Sequence, residues 1–401
     1  MFCLGIDRVL KEDSLLKKLK GRHLSLLGHP ASMTSDFRHS LDALMQTDGL
    51  QVTSAFGPQH GMRGEKQDNM MESEDYVDPQ YNIPIFSLYG EVRRPTAAMM
   101  KTFDVLLVDM QDVGTRIYTF LTTLLYILEE SSRHGKEVWI LDRPNPAGRP
   151  IEGSLLQSGW ESFVGASRWP MRHGLTLGEA ALWFKKNHSL DVALEIISMT
   201  GYDPTASPGF GWPSEDLSWV NPSPNAANLS MARCFPGTVL IEGTQLSEGR
   251  GTTRPLETVG APDLNVLAIL TEMQRMAPEW MSGCLLRPCS FLPTFQKHSG
   301  KICAGLQIHV DNKNYQHEIF KPYRLIGLWL KALRNIYPDY QIFRDFHYEY
   351  EKSRLAFDLI NGGPFLREWI DDRSAVAGDL ESRCATDEKA WLIQRKEFLL
   401  Y

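Results

Sequence analysis

Cysteine is sparse in this chain: there are six in 401 residues, none in a CxxC pair and none with histidines at zinc-ligand spacing. Cys3, Cys234, Cys284, Cys289, Cys303 and Cys384 are therefore expected as scattered, buried or half-buried thiols of a reducing compartment. No long uncharged apolar run exists to span a membrane. In the N-terminal stretch MFCLGIDRVLKEDSLLKK a charge at Asp7 comes before any apolar export core can form. Basic, aromatic-interleaved runs are also missing, and the net charge of -7 argues against a general nucleic-acid binder. These absences point to a soluble, cytoplasmic protein with neither nucleic acid nor membrane as partner. The phosphate-cradling patterns GxGxxG and GxxxxGK[ST] do not occur, so nothing warrants a nucleotide cofactor. The GxSxG elbow of serine hydrolases is missing too. So are HExxH and any close histidine pair, and no metal or other cofactor is expected. There is no internal repeat.

What is present is regular alternation in the first 150 residues. Residues 23–30, 51–58, 83–90, 103–110 and 137–144 read as apolar strands, and 34–46, 95–103 and 118–135 as helices. Gly135 reads as the C-cap of the last helix. Continuous apolar strands separated by helices predict an α/β fold, a Rossmann-like doubly wound, mostly parallel sheet covered on both faces. Further on, TLGEAALWFKKNHS (176–189) reads as a helix whose Thr176 and Glu179 fit a capping box. Residues 204–224 form a Pro/Gly/Ser/Trp-rich loop, ICAGLQIHV (302–310) alternates, and 322–337 is helical. A domain boundary is placed near 150, with a softer one near 270–300.

In open parallel sheets a ligand sits outside the carboxyl ends of the strands. The segments following the strands here are GHPASMTSD, GPQHGMRGE, YGEVRRP, MQDVGTR and DRPNPAGRPIEG, all polar and rich in glycine or proline. Carboxylates are frequent in such loops: Glu65, Asp109, Asp112, Asp142, Glu152, Glu242 and Glu248. Glycosidic hydrolysis needs one carboxyl group to protonate the leaving oxygen and a second as base or nucleophile. Each also has a structural alternative, such as anchoring a loop or capping a turn. A metal hydrolase using Asp109, Asp112, His60 and Asp142 remains an alternative. Arg63, Arg93, Arg94, Arg116, Arg143, Arg172 and Arg250 all fall in loops or at strand ends, which suggests an anionic small ligand. The other reading is that many pair with the loop aspartates. His60 and His173 each stand beside a glycine as proton-transfer candidates. Trp212 and Trp219 either stack on a sugar or anchor their loop.

The runs GIDRVL (5–10), FGPQHGMRG (56–64), VDMQDVGTRIYT (108–119), LDRPNP (141–146), RHGLTLGE (172–179), PSPN (222–225), PGTVLIEGTQLSEGRGTTRPLE (236–257) and FLLY (398–401) follow one another along nearly the whole chain. In these the chain resembles the exo-β-N-acetylmuramidase family of peptidoglycan hexosaminidases, long filed as a domain of unknown function. The resemblance implies a cleft between the Rossmann-like domain (1–150) and a second, smaller α+β domain (151–401), with 204–262 lining it. It also implies removal of single N-acetylmuramic acid residues from the non-reducing end of peptidoglycan fragments, a small anionic amino-sugar substrate, and a place in cell-wall recycling. On the matched motifs, Glu65, Asp112, Glu152 and His60 are expected to do the acid/base work. Substrate contacts are expected from Gln59, Arg63, Arg116, Tyr118, Asp142, Arg143, Asn145, Arg172, His173, Asn225, Glu242, Glu248 and Arg250.

One position departs from the family pattern: many members carry glutamate where this chain has Gln59, which cannot donate a proton as an acid. Either a neighbour such as Glu65, Glu152 or Asp112 carries the proton, or the family glutamate only positions the sugar, or this chain binds without cutting. A substrate 2-acetamido group acting as nucleophile would leave only one protein acid to be found. The rivals are a non-catalytic muropeptide-binding protein and a metal-dependent hydrolase of a modified sugar.

Overall fold

The computed structural model describes residues 2–64, 66 and 70–401. Seven strands make the main sheet: β1 (His23–Gly28), β2 (Gln51–Gly57), β3 (Tyr76–Val77), β4 (Pro84–Ser87), β5 (Val105–Asp109), β6 (Glu137–Leu141) and β7 (Ala193–Ile197). Their spatial order is β3-β4-β2-β1-β5-β6-β7. All neighbours pair parallel except β3, which joins β4 antiparallel at the edge. Strand β5 reads VLLVD and is buried throughout, as a central strand covered on both faces must be. One face packs against the helices Phe120–His134 and Leu177–Asn187. The other packs against the short N-terminal helices through Leu4, Ile6, Val9, Leu15 and Leu19. Strand β7 lies beyond residue 150, so the parallel sheet runs past the boundary expected there.

Local chemistry explains most element ends. Gly135 closes the helix before β6 in the left-handed conformation, φ 62°. Thr176 and Glu179 form the expected capping box. The helix expected over 34–46 is shorter, Ser40–Met45. Thr34 Oγ1 accepts from the Arg38 amide at 3.0 Å and Phe37 sits at φ 63°, so a side-chain-stabilised turn replaces the first helical turns.

The second unit has a three-stranded antiparallel sheet, with β8 (Thr258–Ala261) and β9 (Leu285–Phe291) flanking β10 (Cys303–His309). The helix Pro322–Ile336 is buried along most of its length in this unit's core. Val113 and Ile117, from the loop after β5, are members of that same core. The loop at the carboxyl edge of the first sheet is thus built into the second unit.

Arg116 fastens this junction. Its guanidinium is buried, and Nη1 donates to the Ser154 and Trp169 carbonyls at 3.1 and 2.8 Å. Nη2 donates to the carbonyls of Ile360 and Asn361 at 3.0 and 2.7 Å. Glu152 makes a second tie. Its two oxygens accept from the amides of Tyr323 and Arg324, at 3.1 and 2.9 Å, at the start of the helix Pro322–Ile336. Replacing Arg116 with Met removes the donors of four main-chain carbonyls, of which Trp169 keeps a second bond from the Leu156 amide at 3.1 Å. Arg116→Met is expected to lower the unfolding free energy by at least ~3 kcal/mol, read from the urea midpoint at unchanged m-value.

Candidate active site

The loop after β2 turns sharply. The Gly61 amide donates to the Pro58 carbonyl at 2.9 Å, and His60, the third residue of this turn, has φ 73°. That conformation favours glycine, and a histidine held there costs about 1–3 kcal/mol. Gly57 must precede it without a side chain, since a Cβ would lie 2.8 Å from the Met62 nitrogen. The turn places Gln59 and His60 on the lining of a cavity at the carboxyl edge of the sheet. His60 Nδ1 lies 3.0 Å from the Lys66 carbonyl, an acceptor only, so in the neutral ring Nδ1 carries the proton.

The floor is Ile117, Tyr118 and Thr119, directly after Arg116; the Pro-rich segment adds Ser223 and Asn225, and the second unit supplies Glu242, Arg250, Tyr348 and Glu349. The cavity therefore lies between the carboxyl edge of the parallel sheet and the second unit. Glu349 was not among the residues expected from sequence. Its Oε1 accepts from Gln59 Nε2 at 3.0 Å and its Oε2 from the Tyr89 hydroxyl at 2.7 Å. Thr119 Oγ1 donates to Gln59 Oε1 at 2.7 Å, which fixes the amide so that its nitrogen faces Glu349. Burial pushes the Glu349 carboxyl up to about 7, with Glu242 acting in the same direction against the two donors and Arg93. Glu349 and Tyr350 both have positive φ, 45° and 72°. A carboxyl group with this affinity for its proton can donate near neutrality.

The opposite wall is a charge network. Glu242 accepts from Arg250 Nη2 at 2.7 Å and from the Tyr348 hydroxyl at 2.8 Å. Arg250 Nε lies 3.1 Å from Glu248, which also meets Lys297 Nζ at 2.8 Å. Burial opposes charge on Glu248, but Lys297 and Arg250 outweigh it and hold its carboxyl below the ordinary value. Two acids and two bases thus balance in the wall, with Glu242 and Arg250 facing the cavity.

Of the residues expected to act, Gln59, His60, Tyr118, Asn225, Glu242 and Arg250 come together here. Glu65 lies outside the described residues. The remainder are turned to architecture. Glu152 is spent on the helix start described above. Asp112 Oδ2 accepts from the Gly114 amide at 2.6 Å and faces His173 Nε2 at 3.4 Å, while His173 Nδ1 accepts from the Leu175 amide. Asp142 accepts from Thr176 Oγ1, the Gly178 amide and the Tyr401 hydroxyl, and burial pushes its carboxyl up to about 6. Arg143 pairs with Asp109 through both Nε and Nη2, at 2.5 and 2.9 Å. Asn145 braces its own loop through the Ala147 amide and the Leu175 carbonyl. Arg172 is buried against the Ala147 carbonyl and His317, and Arg63 pairs with Asp42 at 2.9 Å. Trp212 and Trp219 anchor their loop, their indole N–H groups donating to the Leu217 and Ala226 carbonyls. Among the described residues no group of three or more His, Cys, Asp or Glu is arranged to hold a metal, and no helix is long and apolar enough to cross a membrane.

A Rossmann-ordered sheet whose carboxyl edge is closed by a smaller α+β unit, with carboxyl groups from the latter facing the cavity, is the class of protein these features define. The family model for exo-β-N-acetylmuramidase NamZ matches in both parts, the N-terminal one over residues 24–230 and the C-terminal one over 233–401. The chain belongs to this family. It is 34% identical over 398 residues to the peptidoglycan β-N-acetylmuramidase NamZ of Bacillus subtilis (strain 168), covering 99% of this chain and 91% of that protein. Two crystal structures of DUF1343 family proteins from Bacteroides fragilis share the fold. One has a TM-score of 0.86 at 25% identity and the other 0.76 at 27%, each covering 100% of this chain and 99% of its own.

Glu152 does not line the cavity. Glu152→Gln is expected to cost about 1–3 kcal/mol of stability, read as a lower melting temperature. Turnover per folded molecule should stay within about twofold, well under 1 kcal/mol of barrier. A large loss of turnover at unchanged melting temperature would put Glu152 back among the catalytic candidates.

Proposed function

We propose that this protein is an exo-acting glycoside hydrolase that releases N-acetylmuramic acid from the non-reducing ends of peptidoglycan-derived fragments. The observation that carries the reading is the match of both family parts in order along nearly the whole chain. The site supports it physically. The cavity lining is mixed, polar side chains beside Ile117, Val164, Met231 and Phe235, as a sugar with apolar ring faces and polar edges requires. Its walls offer amide and hydroxyl partners for ring hydroxyls in Asn225, Ser223 and Tyr118. Arg250 supplies a guanidinium for the lactyl carboxylate, and its bond to Glu242 keeps it oriented. His60, with its proton placed on Nδ1, orients substrate or relays a proton. We place the reaction in the cytoplasm, on soluble fragments taken up during wall recycling. The six free thiols suit a reducing compartment.

The test is hydrolysis of a chromogenic β-N-acetylmuramic acid glycoside beside the N-acetylglucosamine analogue, which differs by the lactyl group. Release from the muramic substrate should be favoured at least tenfold in kcat/KM, about 1.4 kcal/mol. Arg250→Met should erase most of that preference. Equal rates on the two glycosides would refute the lactyl selectivity. Binding of the muramic sugar, seen as thermal protection, with release from neither glycoside would replace the hydrolase with a binding protein.

A further inference from the structure

Resting on the glycosidase reading, we propose that Glu349, delivered by the second unit across the cavity, is the proton donor to the glycosidic oxygen, with Gln59 as the residue that positions it. The two residues are 290 positions apart in the chain, yet they face one cavity and share a 3.0 Å hydrogen bond. Among the described residues, the other candidate acids are placed differently. Glu152 accepts backbone amides through both oxygens and Asp112 accepts one through Oδ2, and neither residue lines the cavity. Glu242 faces the cavity, but it is ion-paired to the Arg250 guanidinium at 2.7 Å. Among the described residues, the hydrogen bonds to the two Glu349 oxygens come from neutral partners, Gln59 and Tyr89. Its burial pushes it up to about 7, where a general acid works best at neutral pH.

The backbone supports a functional placement. Glu349 and Tyr350 occupy the left-handed region, as does His60 across the cavity. Strain of this kind persists where surrounding structure over-determines it, and it concentrates at sites that must hold a side chain in one place. The amide of Gln59 has a specific consequence. A carboxylate at residue 59 would stand about 3 Å from Glu349, and two acids so close share one proton and titrate as a pair. With Thr119 holding Oε1, the amide donates through Nε2 to Glu349 and brings no second carboxyl proton of its own.

In the step proposed, the Glu349 O–H bond breaks as its proton passes to the glycosidic oxygen. The C1–O bond breaks with its electron pair left on that oxygen, and the aglycone departs as an alcohol. Water then supplies the hydroxyl at C1 and its second proton returns to Glu349, so one water is consumed per bond cut. Activity should fall as pH rises through about 7, because the acid form is lost above it.

The experiment compares wild type, Glu349→Gln and Gln59→Glu on two aryl β-N-acetylmuramic acid glycosides, one with a poor leaving group (phenyl) and one with an activated one (2,4-dinitrophenyl). A general acid matters for the first and hardly for the second. Glu349→Gln should lose about 10²–10⁴-fold in kcat on the phenyl glycoside and less than about tenfold on the dinitrophenyl one, with a comparable melting temperature. Gln59→Glu, which keeps Glu349, should move the alkaline limb of the pH profile upward, since a second acid makes Glu349 harder to ionise. Equal losses on both glycosides would reduce Glu349 to a structural role and overturn the proposal. So would wild-type turnover in Glu349→Gln together with the phenyl-selective loss appearing in Glu65→Gln. Should Glu349→Gln fail to fold, an unmoved pH limb in Gln59→Glu overturns it by itself. A wild-type protein inactive on both glycosides removes the glycosidase reading, and this proposal with it, whereas an active wild type with the wrong variant pattern removes the proposal alone.

Discussion

Everything at the cavity hangs on one buried guanidinium. Arg116 donates through Nη1 and Nη2 to four main-chain carbonyls, two from residues 154 and 169 and two from residues 360 and 361. Burial pulls its pKa down to about 10, so it remains a cation at neutral pH. Carbonyl dipoles rather than a carboxylate compensate the charge, and each of the four must stay in place to do so. The loop after β5 is thereby locked to segments distant in the chain. The next three residues, Ile117, Tyr118 and Thr119, form the cavity floor, and Thr119 fixes the Gln59 amide. A single buried charge, held through its two terminal nitrogens, thus sets the position of the floor and, through it, the orientation of the residue that meets Glu349.

The same economy accounts for the density of polar residues after the strands. Loops at the carboxyl edge of a parallel sheet are usually exposed, and here a second unit covers them. Covered backbone needs internal partners. Asp142 takes the start of the helix Leu177–Asn187, Glu152 takes the start of Pro322–Ile336, and Asn145 and Arg172 brace residue 147 and its neighbours. Asp109 and Arg143 neutralise one another in the interior. These side chains are the means by which a site is enclosed, and their chemistry is used up in enclosing it.

This division explains what the sequence made legible. Strands β1, β2, β4, β5 and β6 announce themselves as apolar runs, and the capping box at Thr176 and the C-cap at Gly135 mark helix ends by local chemistry. Strand β7 is only half-buried, with Glu195 in its middle, and carries no such signal. The loop arginines and aspartates were visible as residue types, but their partners were not. Sequence cannot distinguish an Arg143 that grips Asp109 from one that grips a ligand. Glu349 was the least legible of all. It lies in FHYEYEKS, between two tyrosines and outside any motif, and its meaning comes from Gln59, 290 residues away. The clue lay at the other end of that bond: a glutamine in an otherwise intact polar loop implies that the proton is carried elsewhere.

That bond also sets a requirement on the cavity as a whole. Gln59 belongs to the parallel sheet and Glu349 to the second unit, and each is held by a strained turn whose neighbours fix it. Tyr89, just beyond β4, adds a second tie from the first unit to the same carboxyl group. Glu242 and Arg250 reach the cavity from the second unit alone, braced by Lys297 through Glu248. Neither unit by itself therefore has both a sugar-binding wall and a positioned acid. The hydrogen bonds from Gln59 and Tyr89 would stabilise the charged form of Glu349, and burial outweighs them only because the two units meet. Separating the units would admit water, lower that carboxyl toward its ordinary value and end its usefulness as an acid at neutral pH. Docking of the two units is in this sense part of the acid itself.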